Sequence, residues 1–148
     1  MITRKQYYAL LRQDLNSFTA KAFGTVVPGA TFIPNWHIQA IAYHLELVER
    51  GDINRLIITM PPRHLKSISA SVAFPAGILG RNPTRRIVCV SYSQELADKH
   101  AHDMRRVMQS SWYPDIFPNT QFDQQKNPLR DMTTTQGGYR LSTSVGGS

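Results

Sequence analysis

The sequence has few of the residues that would tie it to an oxidising compartment or to a membrane. Cys89 is the only cysteine among 148 residues, which excludes an internal disulfide and a cysteine-based metal site. A single cysteine fits a reducing compartment. The start of the chain, MITRKQYYALL, lacks the apolar segment of a signal peptide, and no window approaches the length of a membrane span. We therefore expect a soluble intracellular protein.

Acidic residues are also scarce. The chain has 10 Asp and Glu against 17 Lys and Arg, a formal net charge of +7 and a pI near 9.9. A positive field of this kind attracts polyanions, of which nucleic acids are the commonest. The alternative is a basic protein with no nucleic-acid partner. A hydrophobic content of 41% is enough for a packed core and excludes a disordered chain.

Two helices are predicted in the first third of the chain. Residues Thr3–Ala22 form an amphipathic pattern that opens with the capping-box spacing of Thr3 and Gln6. A Gly- and Pro-containing connector follows, so we expect residues 1–33 to form a helical arm and connector. The second helix is predicted to begin at the cap residue Asn35 and to end at Gly51.

The middle of the chain alternates between apolar runs and helical patterns. Arg55–Met60 and Arg86–Ser91 are short, β-branched runs that predict strands buried on both faces. Between them, Ser67–Leu79 predicts a helix that Pro75 should kink or shorten. Ser93 can cap the helix after the second run. The order strand–helix–strand–helix predicts an α/β fold with a parallel βαβ unit.

The last third of the chain differs from the middle in amino-acid composition. Residues 112–129 carry three prolines with much Gln and Asn, which predicts a long loop. Residues 130–135 and 139–145 flank Gln136-Gly137-Gly138 and predict a hairpin.

One helix carries a cluster of titratable side chains. The cluster consists of Lys99, His100, His102, Arg105 and Arg106. We interpret it as a solvated helix face, and a DNA-facing role is the alternative that the net charge favours.

The segment MPPRHLKS, Met60 to Ser67, contains the main candidate functional residues. It lies between a predicted strand and a predicted helix, where backbone amides and the positive end of the helix can surround a phosphate. Lys66 can reach phosphate oxygens, and the Ser67 hydroxyl is an oxygen ligand of the kind Mg²⁺ prefers. Met60 and Leu65, however, stand where the usual phosphate loop has glycines for their backbone freedom. The alternative is a solvated basic turn.

Four segments, in order and spacing, resemble phage terminase large subunits. PPRHLKS is similar to their phosphate loop, which contains an Arg, and FIPNWHIQAIAYHL resembles their adenine-side motif. RRIVCVSYSQELADKHAHDMRRVM and GGYRLSTSVGGS are similar to the strand and helix that follow and to the segment before the acidic metal-binding strand. The resemblance covers residues 32–148. It implies that residues 34–148 are the N-terminal portion of a P-loop NTPase-like domain, with an incomplete parallel sheet and flanking helices, behind the helical arm.

The resemblance also implies roles for individual residues. Lys66 and Arg63 would be catalytic, because both would stabilise charge on the phosphates of ATP during transfer. Ser67 would hold Mg²⁺. The residues implied in ATP binding are Trp36, Gln39, Pro62, Arg63, His64, Leu65, Lys66 and Ser67. For Trp36, packing at the helix start is an equally good interpretation.

A complete motor of this class needs carboxylates for Mg²⁺ and for the attacking water. No acidic residue after Ser67 follows an apolar strand of the required kind, and the resemblance places those carboxylates, and the nuclease domain, beyond Ser148. We therefore expect phosphate binding with little or no ATP hydrolysis by this chain alone.

The expected function is the ATP-binding part of a DNA-packaging ATPase. The resemblance implies double-stranded DNA, a terminase small subunit and a portal protein as partners. It also implies a possible homo-oligomeric ring and a location in the cytoplasm of a bacterial host. The alternatives are a non-catalytic DNA- or protein-binding remnant and a helicase-type P-loop ATPase fragment. Arg63 and the Pro-Pro lead-in argue against the helicase.

Overall fold

The computed structural model describes residues 1–125 and 128–146. Parts of the predicted 112–129 loop and of the GGYRLSTSVGGS segment lie outside these residues. The elements in chain order are helices α1 (Arg4–Gln13), α2 (Leu15–Val26) and α3 (Trp36–Arg50), a π-helical turn (Ile68–Ala73) that continues into α4 (Phe74–Arg81), strand β1 (Arg86–Ser91), helices α5 (Gln94–Met108) and α6 (Tyr113–Ile116), and strands β2 (Asp131–Thr133) and β3 (Tyr139–Ser144).

The predicted first helix is two helices. Asp14 takes an extended backbone (φ −114°, ψ 108°), which ends α1, and its side chain accepts from the amide of Ser17 to cap α2. The predicted capping box of Thr3 and Gln6 is confirmed. Both helices contribute fully buried side chains to one core shared with α4 and α5, among them Leu11 and Phe18. The division of the chain at residue 33 stays a prediction.

Helix α3 lies where the sequence predicted it. Asn35 is the N-cap residue, although its side chain makes no capping hydrogen bond, and Gly51 ends the helix with φ 83°. This left-handed conformation is one that glycine adopts without steric cost. One face of the helix is buried, at Ile38, Ile41, Ala42 and Leu45.

The three described strands form one mixed sheet in the order β1-β3-β2. Strands β1 and β3 are parallel, with Arg86 opposite Tyr139 and Ser91 opposite Ser144. Strands β2 and β3 are antiparallel and form the predicted hairpin, in which Gly137 has φ 83°. The α/β class is confirmed. The expected parallel pairing is present between β1 and β3, and the hairpin makes the sheet mixed by adding an antiparallel edge.

The predicted strand Arg55–Met60 is not part of this sheet. Its backbone pairs with no strand among the described residues, and its side chains alternate between the core and solvent. Ile58 packs against the core, whereas Ile57 is 90% exposed. The expectation of a strand buried on both faces is therefore wrong here. The physical reason is that this segment has the core on one side only. The expectation is also wrong for β1, in which Val88 and Val90 are exposed.

The helix after the phosphate-loop segment is not shortened by proline. Helical backbone runs from Lys66 to Arg81 and changes to a π-turn just before Pro75. In that turn the amide of Phe74 donates to the carbonyl of Ser69, five residues earlier. The wider turn accommodates a residue that lacks an amide and crowds the carbonyl four residues before it.

Helix α5 begins at the predicted cap, where Ser93 Oγ accepts from the amide of Leu96 at 3.2 Å. Its predicted apolar face is buried. The titratable cluster on this helix is only partly solvated, because His100 is 7% exposed and lies on the buried side with Asp103. The predicted loop 112–129 contains the short helix α6, whose Tyr113 hydroxyl donates to the carbonyl of Ala76 at 2.7 Å.

We predict that Gly138→Ala destabilises the fold by about 1–3 kcal/mol, the usual range for overpacking. A Cβ at this position would lie 2.7 Å from the carbonyl oxygen of Arg85 and closer still to that of Pro83, both backbone atoms that cannot move aside. The control is Gly24→Ala on α2, where a Cβ meets nothing within 4 Å. This substitution should raise the folding stability by up to about 1 kcal/mol. Urea unfolding of both variants measures the difference, and equal stabilities would contradict this close approach.

We predict a pH-dependent loss of stability that traces to His100. Burial lowers the pKa of His100, and Lys99 and Arg140 lower it further while Asp103 opposes them. The unfolded chain therefore binds more protons between the folded pKa and about 6.5, so stability falls as pH drops through that window. His100→Gln should flatten this part of the profile, and the exposed His102→Gln should not. Denaturation midpoints between pH 8 and pH 5 test it, and parallel profiles would contradict it.

Candidate functional site

The loop from Met60 to Ser67 connects the unpaired extended segment to the long central helix. Helical backbone begins at Lys66, so Lys66 and Ser67 form the first turn. Amides in the first turn of a helix have no acceptors within the helix, and the helix dipole adds positive potential there. The predicted context of extended chain, loop and helix is therefore present, although the extended chain is not in a sheet.

The loop backbone is the most unusual feature of the site. Among the described residues, Arg63 (φ 67°) and Leu65 (φ 60°) are the two with positive φ that are not glycine. This conformation costs a side-chain-bearing residue about 1–2 kcal/mol. Turns of this kind bring successive amides together into concavities that bind anions. Leu65 thus has the left-handed backbone that the glycine of a usual phosphate loop would supply.

The polar groups of the loop have few partners within the protein. Arg63, Lys66 and Ser67 are exposed, and no ion pair among the described residues includes Arg63 or Lys66. Of the backbone hydrogen bonds outside helices in residues 1–125 and 128–146, none is donated by an amide of residues 63–68. Two cations, a hydroxyl and several amides are therefore available to one anionic ligand.

Lys66 and Ser67 line a cleft of about 390 Å³ beside the loop, here named the loop cleft. Its other walls come from α3, the extended segment and the π-turn, through Leu45, Val48, Leu56, Ile58, Ala70 and Ser71. No acidic side chain is among these lining residues. Leu65 is not among the lining residues either.

A second cleft of about 310 Å³, the aromatic cleft, shares Leu56 and Ile58 of the extended segment with the loop cleft. Its walls are Trp36, His37, Ala40, Ile41 and His44 on α3 and residues 56–60. The Trp36 side chain is 76% exposed and is free to present its ring to a ligand. Gln39 is exposed and is not among the residues that line this cleft, although it lies one turn after Trp36 on α3.

His37 is a residue of this region that sequence reasoning missed. Its ring lies 5.6 Å from that of His64, centroid to centroid, and 6.1 Å from that of Trp36. His64 Nδ1 in turn lies 2.8 Å from the carbonyl oxygen of Pro62. The start of α3 therefore contacts the loop through aromatic rings. The only sequence signal was the proximity of His37 to Trp36 in the predicted helix.

The residues at the loop fit Mg²⁺ only as part of a larger set of ligands. No three His, Cys, Asp or Glu side chains in the described part of the chain are close enough together to hold a metal. Mg²⁺ keeps several waters and is commonly bound through phosphate oxygens with one or two protein oxygens. Ser67 Oγ fits that role beside a bound triphosphate, and not as a metal site by itself.

Comparison of the chain with protein-family models, curated proteins and solved structures finds no match. The geometry of the loop and the resemblance of its residues are therefore the grounds for a functional proposal.

We predict that Leu65→Gly is more stable than Leu65→Ala by about 1 kcal/mol, because alanine in a left-handed backbone carries a steric cost that glycine lacks. Both variants remove the leucine side chain, so their difference isolates the backbone. At position 40 in α3 the order should reverse, with Ala40→Gly losing about 1 kcal/mol. Chemical denaturation measures the four proteins, and a more stable alanine at position 65 would show that the left-handed backbone is not formed in solution.

Proposed function

We propose that this chain is the ATP-binding part of a DNA-packaging ATPase of the terminase large-subunit type, with a P-loop NTPase-like fold. One observation carries the proposal. The loop places left-handed backbone at Arg63 and Leu65 directly before a helix start, where Lys66 and Ser67 are exposed and without partners among the described residues. A triphosphate satisfies every one of these groups, because it supplies several anionic oxygens over the width of one loop.

Each loop residue has a role in this proposal. Lys66 neutralises the β- and γ-phosphates, and Ser67 Oγ completes the ligands of Mg²⁺. Arg63 stabilises charge that develops on the γ-phosphoryl group. Pro62, His64 and Leu65 shape the loop around the phosphates. Bound Mg²⁺ would supply further positive charge at the phosphate oxygens.

The adenine side of the proposal is carried by the aromatic cleft. Trp36 offers an exposed ring, and His37 and His64 provide neighbouring aromatic edges. A purine stacks on such rings with a favourable energy of about 1–3 kcal/mol. Gln39 lies one turn after Trp36 on α3 and is exposed, and its side-chain amide can donate to and accept from the adenine edge in this proposal.

Phosphate binding, and not turnover, is the activity that the described residues support. Neither cleft is lined by an acidic residue, so no carboxylate is placed to hold Mg²⁺ or to orient water. The same observation favours the second candidate, a non-catalytic DNA- or protein-binding module. The two differ in whether ATP binding depends on Lys66.

Partners and location follow from the proposed class. A net charge of +7 suits a protein that holds double-stranded DNA through its phosphates. A small subunit, a portal and a homo-oligomeric ring complete the proposed motor, in the cytoplasm of a bacterial host. None of the helices in the described ranges has the length and apolar character needed to cross a membrane.

We predict that Lys66→Ala weakens binding of a fluorescent ATP analogue with Mg²⁺ by about tenfold or more, because a charged hydrogen bond contributes roughly 1.5–3 kcal/mol. Lys5→Ala removes the same charge from an exposed site on α1 and should bind like the parent. Titration by fluorescence anisotropy at fixed ionic strength measures both.

Two outcomes would contradict this assignment. Equal affinities in the parent and the two variants would mean nonspecific attraction, and would leave the non-catalytic module as the better proposal. Steady ATP hydrolysis by the pure chain that Lys66→Ala abolishes would keep the site but overturn the inference that the chain binds ATP without turnover.

A further inference from the structure

Arg140 is a buried cation for which the site described above has no role. It lies on β3, is 1% exposed, and is the largest fully buried side chain of the described residues. No ion pair among those residues includes it, and its Nε has no hydrogen-bond partner there. A buried charge without a carboxylate is costly, and an apolar side chain of similar size often packs with greater stability. Stability alone is therefore a poor explanation for an arginine here.

The guanidinium contacts the helix that begins at the phosphate loop. Its Nη2 donates to the carbonyl oxygen of Ser71 at 3.2 Å, and its Nη1 donates to Ser142 Oγ on the same face of β3. In a regular α-helix the Ser71 carbonyl would accept from the amide four residues later. That residue is Pro75, which has no amide. Arg140 supplies a donor to this carbonyl in place of the amide that Pro75 lacks.

This contact falls within the π-turn, which directly follows the phosphate loop. Ser71 lies one turn after Ser67, and it lines the loop cleft together with Lys66 and Ser67. A π-turn contains one residue more than an α-turn. Its conversion to an α-turn would rotate the preceding residues by about 100° around the helix axis. Lys66 and Ser67 would then have a different direction relative to the cleft that they line.

The geometry points to Arg140 as a positioning residue for the phosphate loop. By holding the Ser71 carbonyl, Arg140 fixes the π-turn against the sheet and thereby sets the direction of Lys66 and Ser67. This inference rests on the proposed function. Arg140 touches neither cleft, so it acts through the helix and not on the nucleotide.

The central test compares nucleotide affinity with stability. Arg140→Met keeps the length of the side chain and removes its donors, and Arg140→Lys keeps the charge without the paired geometry. We expect Arg140→Met to weaken binding of the fluorescent ATP analogue about tenfold, the size typical for loss of an outer-shell partner, with a smaller loss for lysine. The control is a substitution of Ile116 on α6, either Ile116→Val or Ile116→Ala. The variant used is the one whose loss of folding stability matches that of Arg140→Met. It should bind ATP like the parent.

A second measurement tests the contact itself. Pro75→Ala provides an amide for the Ser71 carbonyl, so the loss of stability from Arg140→Met should be smaller in the Pro75→Ala background. Hydrogen exchange should show faster exchange at residues 68–73 in Arg140→Met than in the Ile116 control. Both readouts need no nucleotide.

Each possible outcome supports or overturns the positioning role, the contact with Ser71 or the proposed function. In the first case, the parent binds ATP through Lys66, and the affinity of Arg140→Met is within twofold of the parent's or no lower than that of the Ile116 control. The positioning role is then overturned, and the proposed function stands. Additive stability losses at positions 75 and 140 overturn the shared-carbonyl contact. If the parent shows no Lys66-dependent binding, the proposed function fails, and the inference built on it fails with it.

Discussion

The passage of one helix through the centre of the protein is the constraint on which the other elements depend. Residues 66–81 bury Val72, Ala76 and Leu79 completely, and helices α1, α2, α3 and α5 pack on this helix. Side chains distant in sequence donate to carbonyls of this helix on both sides of Pro75. Tyr113 bonds to the carbonyl of Ala76, and Arg140 bonds to that of Ser71. The helix start, which carries Lys66 and Ser67, is thus held by groups distant in sequence.

Packing around the central helix offsets the energetic cost of the strained loop backbone. A left-handed residue other than glycine persists only where its surroundings determine its conformation, and two of them flank His64. On one side the loop is anchored by the central helix, and on the other Met60 packs against the core. Contact between His37 and His64 adds a third anchor from α3. Strain that is concentrated where amides and cations converge is typical of a ligand site.

The sheet and the extended segment are the least covered parts of the fold. Val88, Val90 and Leu141 share one face of β1 and β3 and are exposed, and the segment that precedes the loop has no strand beside it. In α/β proteins both faces of such a sheet are usually covered. The expected strand at residues 55–60 therefore failed for a tertiary reason. Its composition is that of a buried strand, but in the described residues nothing pairs with it.

The sequence by itself determined the local features. Capping by Thr3 and Ser93, the end of α3 at Gly51, strand β1 and the hairpin all follow from short-range chemistry, and all are observed. Tertiary structure alone decided that Leu65 adopts a conformation its side chain disfavours, since local preference argues for glycine there. It also brought Arg140 to Ser71, across 69 positions of sequence. Propensity and spacing report only on neighbours along the chain, whereas packing joins residues that no sequence pattern relates.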